Sequence, residues 1–527
     1  MGELYRRLKA YSEEDYYPYH MPGHKRQLYG ELPPEIMKID ITEIDGFDNL
    51  HAPEEIFCRL QEKASKLYGA EESFYLINGS TGGILAAISA AVPKGGRILM
   101  TRGSHKSAYH AVYLRNLTVS YLYQEMMEEY DIYDVVTPGQ IAEALKKEPV
   151  PDAVFLVSPT YEGRIAQIAE IARIVHQYGI PLIVDEAHGA HLGFTDRFAK
   201  NSCQCGADLV IHSVHKTLPA LTQSALLHVS GDLIDRELLK RFLHIYQSSS
   251  PSYVLMAGID NALQIVEEQG ETLFQQFRDR YEKMLEQLSQ CKNLEFLRPD
   301  DTQDIGKLVI LSGKAGLSGQ QIYDILLEEY HLQLEMAATD HCLAMFTVGD
   351  GEEAYRRMTE ALLAIDRKIS AEKRESVLTE CDEDSVEKSK AEYSGQSQGC
   401  SETAGMSLSV NRRDVIGKDN LQGKKIQEES LYHIQPKVCM SLADAWDAPK
   451  EEIPLAQAVG RIAGEFVNLY PPGIPVLVPG EQVEEIHCRL LAQYLQEGLN
   501  VQGVTGTTDY RMKVLTAKPS EIRKCRK

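Results

Sequence analysis

Leu182-Ile183-Val184-Asp185-Glu186-Ala187-His188-Gly189 is a short apolar run that ends on a carboxylate and a turn. Similar runs stand on either side of it: Phe74-Tyr75-Leu76-Ile77, Arg97-Ile98-Leu99-Met100, Val154-Phe155-Leu156-Val157 and Leu209-Val210-Ile211. Gly, Pro, Asn, Asp or Ser cluster near their ends, as expected of strands covered on both faces. Between Val157 and Leu182, Ile168, Ile171, Ala172 and Val175 recur at i, i+3, i+4 and i+7, and Gly179 and Pro181 mark a helix stop. Strand, helix, strand is a βαβ unit. Several in series predict a doubly wound α/β domain, whose ligands sit beyond the carboxyl ends of the strands.

The rest of the chain divides around this block. Residues 1–50 mix Tyr, Pro and His with little periodicity and read as an arm that folds onto something else. Residues 51–290 form the large domain, closed by an amphipathic helix from Leu263 to Leu288. Residues 291–371 form a smaller α+β domain, with strands at Lys307–Leu311 and Leu343–Val348 around a helix Gln320–Glu329. Residues 372–435, rich in Glu, Lys, Ser, Gln and Gly, read as a flexible, partly helical insert that cannot bury enough surface to offset its ordering entropy. Residues 436–527 form a C-terminal domain with helices near Ser441–Asp447 and Val483–Gln496.

Composition narrows the function classes. The 527 residues carry 77 acids against 55 bases, a formal charge of -22, which argues against a nucleic-acid binder working through a basic face. No stretch approaches the roughly 18 unbroken apolar residues of a membrane span, and Met1–Ala10 has no signal-peptide core. Ten scattered cysteines without a CxxC pair suggest reduced thiols in a cytoplasmic protein, and call for no metal.

Three strand ends carry the chemistry. Asn78-Gly79-Ser80-Thr81-Gly82-Gly83 opens a helix directly after a strand. It is either an anion cradle made of free N–H groups and hydroxyls or a capped turn, since Ser and Thr are also preferred caps. Asp185 can hold a protonated ring nitrogen by a charge-assisted bond, or cap a turn. Lys216, in His212-Ser213-Val214-His215-Lys216-Thr217, can snorkel to solvent or, on the floor of a cleft, act as a Schiff-base nucleophile. Together, a phosphate cradle, a carboxylate and a lysine are the parts that hold pyridoxal 5′-phosphate.

At this point the sequence resembles a family. The order of these elements is that of fold-type-I pyridoxal-phosphate enzymes, the aspartate-aminotransferase-like fold. The wording is similar to that of the Orn/Lys/Arg decarboxylases: His20-Met21-Pro22-Gly23-His24, Gly79-Ser80-Thr81, Asp185-Glu186-Ala187-His188, Ser213-Val214-His215-Lys216, and Tyr470-Pro471-Pro472-Gly473 with Pro479-Gly480-Glu481. Larger members carry an N-terminal wing domain, so the resemblance points to the shorter form and puts a decamer in doubt. It implies cofactor contacts from Ser80, Thr81, Gly82, Asp185, Ala187, His188, Ser213, His215 and Lys216. It also implies a ring-stacking role for His105 and, from Ser249, a contact to the phosphate of a neighbouring subunit, which requires a homodimer with shared sites.

The expected reaction is α-decarboxylation of arginine, lysine or ornithine to the amine and carbon dioxide, feeding polyamine metabolism, with Lys216 or His215 returning a proton to the α-carbon. Glu481 is expected to be buried and to take the substrate's distal cation as its partner, or else to serve as an acid at the start of the last helix. Another fold-type-I enzyme, an aminotransferase or lyase, and an inactive decarboxylase-like regulator are the rival readings.

Overall fold

In a computed structural model the described residues are 2–14, 22, 34–127, 130, 132–196, 198–300, 302–391, 435–470 and 473–517. Most of His20–His24, Pro471, Pro472 and most of the polar insert therefore lie outside the described residues.

The central sheet has seven strands in the order Glu72–Leu76, Ala225–Val229, Leu209–His212, Leu182–Asp185, Ala153–Val157, Arg97–Thr101 and Thr118–Leu122. The last five run parallel. Ala225–Val229 is antiparallel to both of its neighbours, so the sheet is mixed and not wholly parallel. Neither that strand, buried throughout, nor the edge strand Thr118–Leu122 is among the runs picked out from the sequence. The edge strand is largely accessible, with only Leu122 buried.

Helices cover both faces. Ile168–His176 buries Ile168, Ile171, Ala172 and Val175, the expected stripe, and Gly179 adopts a φ of 68° just past its end. Gly79–Ala91 lies so close to the sheet that a Cβ on Gly83 would stand 2.6 Å from Leu76 Cδ1 and 3.2 Å from Ile211 Cγ2. This close approach sets the height of the helix N-terminus over the strand ends.

The opening residues contain a helix, Glu3–Glu13, which buries Leu4 and Leu8. The Leu4 N–H donates to Asp260 Oδ2 of the long helix Tyr253–Leu288 at 2.9 Å.

A second, antiparallel sheet comprises Glu295–Phe296, Lys307–Leu311, His341–Met345 and Met336–Ala337, with helices Gly319–Tyr330 and Glu352–Ala391. The last helix continues past residue 372, where the polar insert was expected to start. A seam joins the two sheets. Ile165 N–H donates to Thr302 O at 2.7 Å, Asp304 N–H donates to Gly163 O at 2.8 Å, and Arg164 pairs with Asp300 and Asp134.

The C-terminal residues build two three-stranded sheets and the helices Leu442–Asp447 and Glu485–Gln496. They pack on the helix Lys106–Arg115: Trp446 stacks on His110 and Phe466 meets Tyr109 edge-on.

Candidate active site

The loops that leave the carboxyl ends of the strands converge on Lys216. It lies on the short helix Val214–Thr217, one turn past the strand Leu209–His212. Its Nζ stands 3.0 Å from His188 Nε2. Burial lowers the Lys216 ammonium from its ordinary range, while Asp185 and Glu335 pull it back up. Asp185, buried at the end of its strand, is pushed up to about 6 by burial, opposed by Lys216 and by the Ala187 N–H, which donates to Oδ1 at 3.2 Å. Among the described residues Asp185 makes no ion pair, so this carboxylate lacks a cation of its own.

The two readings of the Gly-rich turn now separate. Asn78, at the N-cap, makes no capping bond and instead donates from Nδ2 to Tyr246 O at 2.9 Å. Ser80 Oγ pairs with Ser213 Oγ at 2.6 Å, and Thr81 is exposed. Gly79 takes a φ of 65° and donates to Gln223 O, and a Cβ on Gly82 would come 3.2 Å from Asn78 Cβ. The helix thus starts without a side-chain cap; the Gly79 and Gly82 N–H groups are bonded within the chain, and the Ser80 and Thr81 N–H groups with the positive helix end suit an anion.

His105 caps the helix Lys106–Arg115, its Nδ1 accepting from the Ser107 N–H at 3.3 Å. The ring is pushed down to about 4 by burial and by the nearby Lys216 and Lys106 charges, and is therefore neutral. Gly473 lies against the ring, where a Cβ would meet Nε2 at 3.8 Å. His215 Nδ1 lies 2.7 Å from Ser224 O, and because a carbonyl only accepts, that nitrogen carries the ring proton.

Two expected site residues lie elsewhere. Ser249 sits in an exposed turn, anchored by Gln247, whose Oε1 accepts from the Ile77 N–H at 2.8 Å. Within one chain it meets none of the residues around Lys216 among the contacts described. Glu481 requires a correction. It is buried, but its cation comes from the chain: Arg102 Nη2 stands 3.0 Å from Oε2, which also accepts from the Val478 N–H at 2.8 Å. Nor does it start the last helix, which begins at Glu485.

Sequence reasoning missed Lys307, Tyr161, Glu162 and Glu335. Lys307 is fully buried, with Nζ 2.8 Å from His188 Nδ1. Tyr161 packs edge-on against His188, 4.8 Å between centroids, and its hydroxyl bonds Glu335. Tyr161 and Glu162 follow the strand Ala153–Val157 just as His105 follows Arg97–Thr101, so the strand-end rule applied evenly would have found them.

Comparison with known proteins bears directly on this arrangement. Residues 3–343 match the family model "Orn/Lys/Arg decarboxylase, major domain", and residues 424–502 match the "Orn/Lys/Arg decarboxylase, C-terminal domain". The chain belongs to the Orn/Lys/Arg decarboxylase family. The arginine decarboxylase of Bacillus subtilis is 29% identical over 528 residues, covering 97% of each chain. The uncharacterized protein YaaO of the same organism is 31% identical, covering 95% of each. The lysine decarboxylase LdcF of Francisella novicida superposes with a TM-score of 0.76 at 19% identity, over 98% of this chain and 81% of that one, and so shares the fold.

Membership in the Orn/Lys/Arg decarboxylase family makes the chain an amino-acid decarboxylase and implies pyridoxal phosphate as its cofactor. The residues present fit that group. An uncapped helix N-terminus suits a phosphate, a buried carboxylate without a cation suits a protonated ring nitrogen, and a lysine with lowered proton affinity suits an aldehyde.

Proposed function

We propose that the chain decarboxylates a basic amino acid at its α-carbon with pyridoxal phosphate, releasing carbon dioxide and the corresponding amine. Arginine is the first substrate to test, because relatives of nearly equal length are named arginine decarboxylase. The observation that carries the reading is the convergence of Lys216, Asp185 and the uncapped Gly79–Ala91 helix at one edge of the sheet.

When bound, the cofactor supplies the electron sink for the pair left on the α-carbon. Asp185 would hold the proton on the cofactor's ring nitrogen, and the Gly79–Ala91 helix start, with Ser80 and Ser213, would hold its phosphate. The neutral His105 ring, with Gly473 beside its Cδ2 and Nε2 atoms, would stack on the cofactor ring without adding charge to the site. Lys216 would bind the cofactor's aldehyde, and its Nζ is the group placed to return a proton to the substrate's α-carbon. His215 suits that role less well, because its ring proton is held on Nδ1 by Ser224 O.

Glu335, oriented by the Tyr161 hydroxyl, supplies negative charge on the Lys216 side and is the group we assign to the substrate's distal cation. A homodimer sharing sites through Ser249, a cytoplasmic setting and an amine product destined for polyamines complete the reading. No helix among the described residues is long and apolar enough to cross a membrane.

The test is an assay of purified protein with arginine, lysine and ornithine, measuring carbon dioxide and amine. Equimolar release of both from one of them is the expected result. Keto-acid production would instead favour an aminotransferase, and no turnover with intact cofactor binding would favour the regulator.

A further inference from the structure

Lys307 opens one of the two inner strands of the second sheet, where a lysine is expected to reach for solvent, yet it is only 1% exposed. A buried ammonium is costly unless its surroundings use it. Its stem is clamped by Gly163: a Cβ there would lie 2.7 Å from Lys307 Cγ and 2.9 Å from Cβ, and Gly163 holds a φ of 98°. No residue but glycine lets that turn lie so close over the lysine. The head is directed as tightly as the stem. Nζ stands 2.8 Å from His188 Nδ1 and 5.9 Å from the Tyr161 ring centroid, while the other nitrogen of His188 faces Lys216 Nζ at 3.0 Å.

The charged groups around Lys307 come from three segments. Asp304 precedes it in the chain, Glu162 lies on the Gly163 turn, and Glu335 belongs to the same small unit. These three favour its ammonium, whereas burial and Lys216 oppose it and bring it down to about 8, so it stays protonated at neutral pH. An ammonium has hydrogens to give and no lone pair to accept with. It must therefore donate to His188 Nδ1. Burial and the Lys307 charge beside Nδ1 keep the imidazole neutral, so its one proton sits on Nε2 and points at Lys216. Lys216 Nζ can accept that proton only as the free amine, which is the nucleophilic form.

We propose that Lys307 is a positioning residue for Lys216: through His188 it fixes the ring tautomer, and its charge disfavours protonation of the Lys216 nitrogen. This rests on the decarboxylase reading only in taking Lys216 as the reactive lysine. The coupling crosses between the two sheets, since Lys307 is carried by the small unit and Lys216 by the large one.

The test is a pH titration of the visible absorbance of the bound cofactor in the holoenzyme, comparing the native protein with Lys307→Met and Lys307→Arg. Losing the positive charge should raise the midpoint by on the order of one pH unit, and Arg, which keeps the charge, should hold it near the native value. A folded Lys307→Met holoenzyme that titrates at the native midpoint overturns the proposal. Nitrogen NMR of histidine-labelled native protein decides the matter if the variants do not fold. The signal lost in His188→Gln should show a bare Nδ1 and a protonated Nε2, and a protonated Nδ1 overturns the proposal. A native protein that takes up no cofactor would refute the decarboxylase reading, and the NMR result would still decide the role of Lys307.

Discussion

Arg102, just past the strand Arg97–Thr101, and Glu481, in the turn after Ile474–Leu477, form an ion pair at 3.0 Å, their side chains 6% and 2% exposed. The same guanidinium donates to Tyr109 OH and to the carbonyls of Pro475 and Val476. The pair therefore fastens the C-terminal residues to the sheet that carries the site. Removing one partner strands the other as a buried charge, which costs about 3–5 kcal/mol. Glu481→Gln is expected to lower thermal stability accordingly and to leave KM for arginine unchanged. A raised KM at native stability would restore Glu481 as a substrate ligand.

Borohydride reduction of the holoenzyme should fix the cofactor to the peptide that contains Lys216. Lys307 is the other lysine within reach of His188, so the peptide map discriminates between them. Label on the Lys307 peptide would exchange the two roles.

Burial lifts Asp185 from 3.8 to about 6 in the folded chain. The folded state then holds more protons than the unfolded one between those values, so stability falls as pH rises through that window, by roughly 3 kcal/mol in all. In the apoprotein, Asp185→Asn removes this penalty. Its melting temperature should exceed the native one at pH 7.5 and match it near pH 4, while its cofactor affinity drops. An equal shift at both pH values would place the effect outside the ionisation of Asp185.

Glu335→Gln tests the distal-charge assignment. The side chain is accessible, so the loss should be moderate, about tenfold in KM for a basic amino acid, with kcat little changed. A variant with native KM would mean that the cation is recognised elsewhere.

How much of this was legible in the sequence follows from what each residue's neighbours reveal. Asp185 and Lys216 follow runs that can only be buried strands, so their place at the sheet edge was readable. The direction of Ala225–Val229 was not sought, although the connection after His212 has room only for the short helix Val214–Thr217 and no full crossover. Lys307 was hidden because a lysine at a strand start reads as a solvent-facing residue, and its burial depends on Gly163, distant in sequence. Glu481 is buried, but the cation expected for it was the substrate's and the one beside it is Arg102. Its partner was missed because nothing near Arg102 in sequence announces a contact 379 residues away.

The seam between the sheets has a mechanical meaning. Gly163, Arg164 and Ile165 are stitched to Asp304, Asp300 and Thr302 respectively, and the same turn lies over the stem of Lys307. The seam thus lies directly over the lysine whose ammonium stands 2.8 Å from His188 Nδ1. On the role proposed for Lys307, the contact between the two sheets and the protonation of Lys216 are linked, and a change that loosens the seam should shift the titration of Lys216.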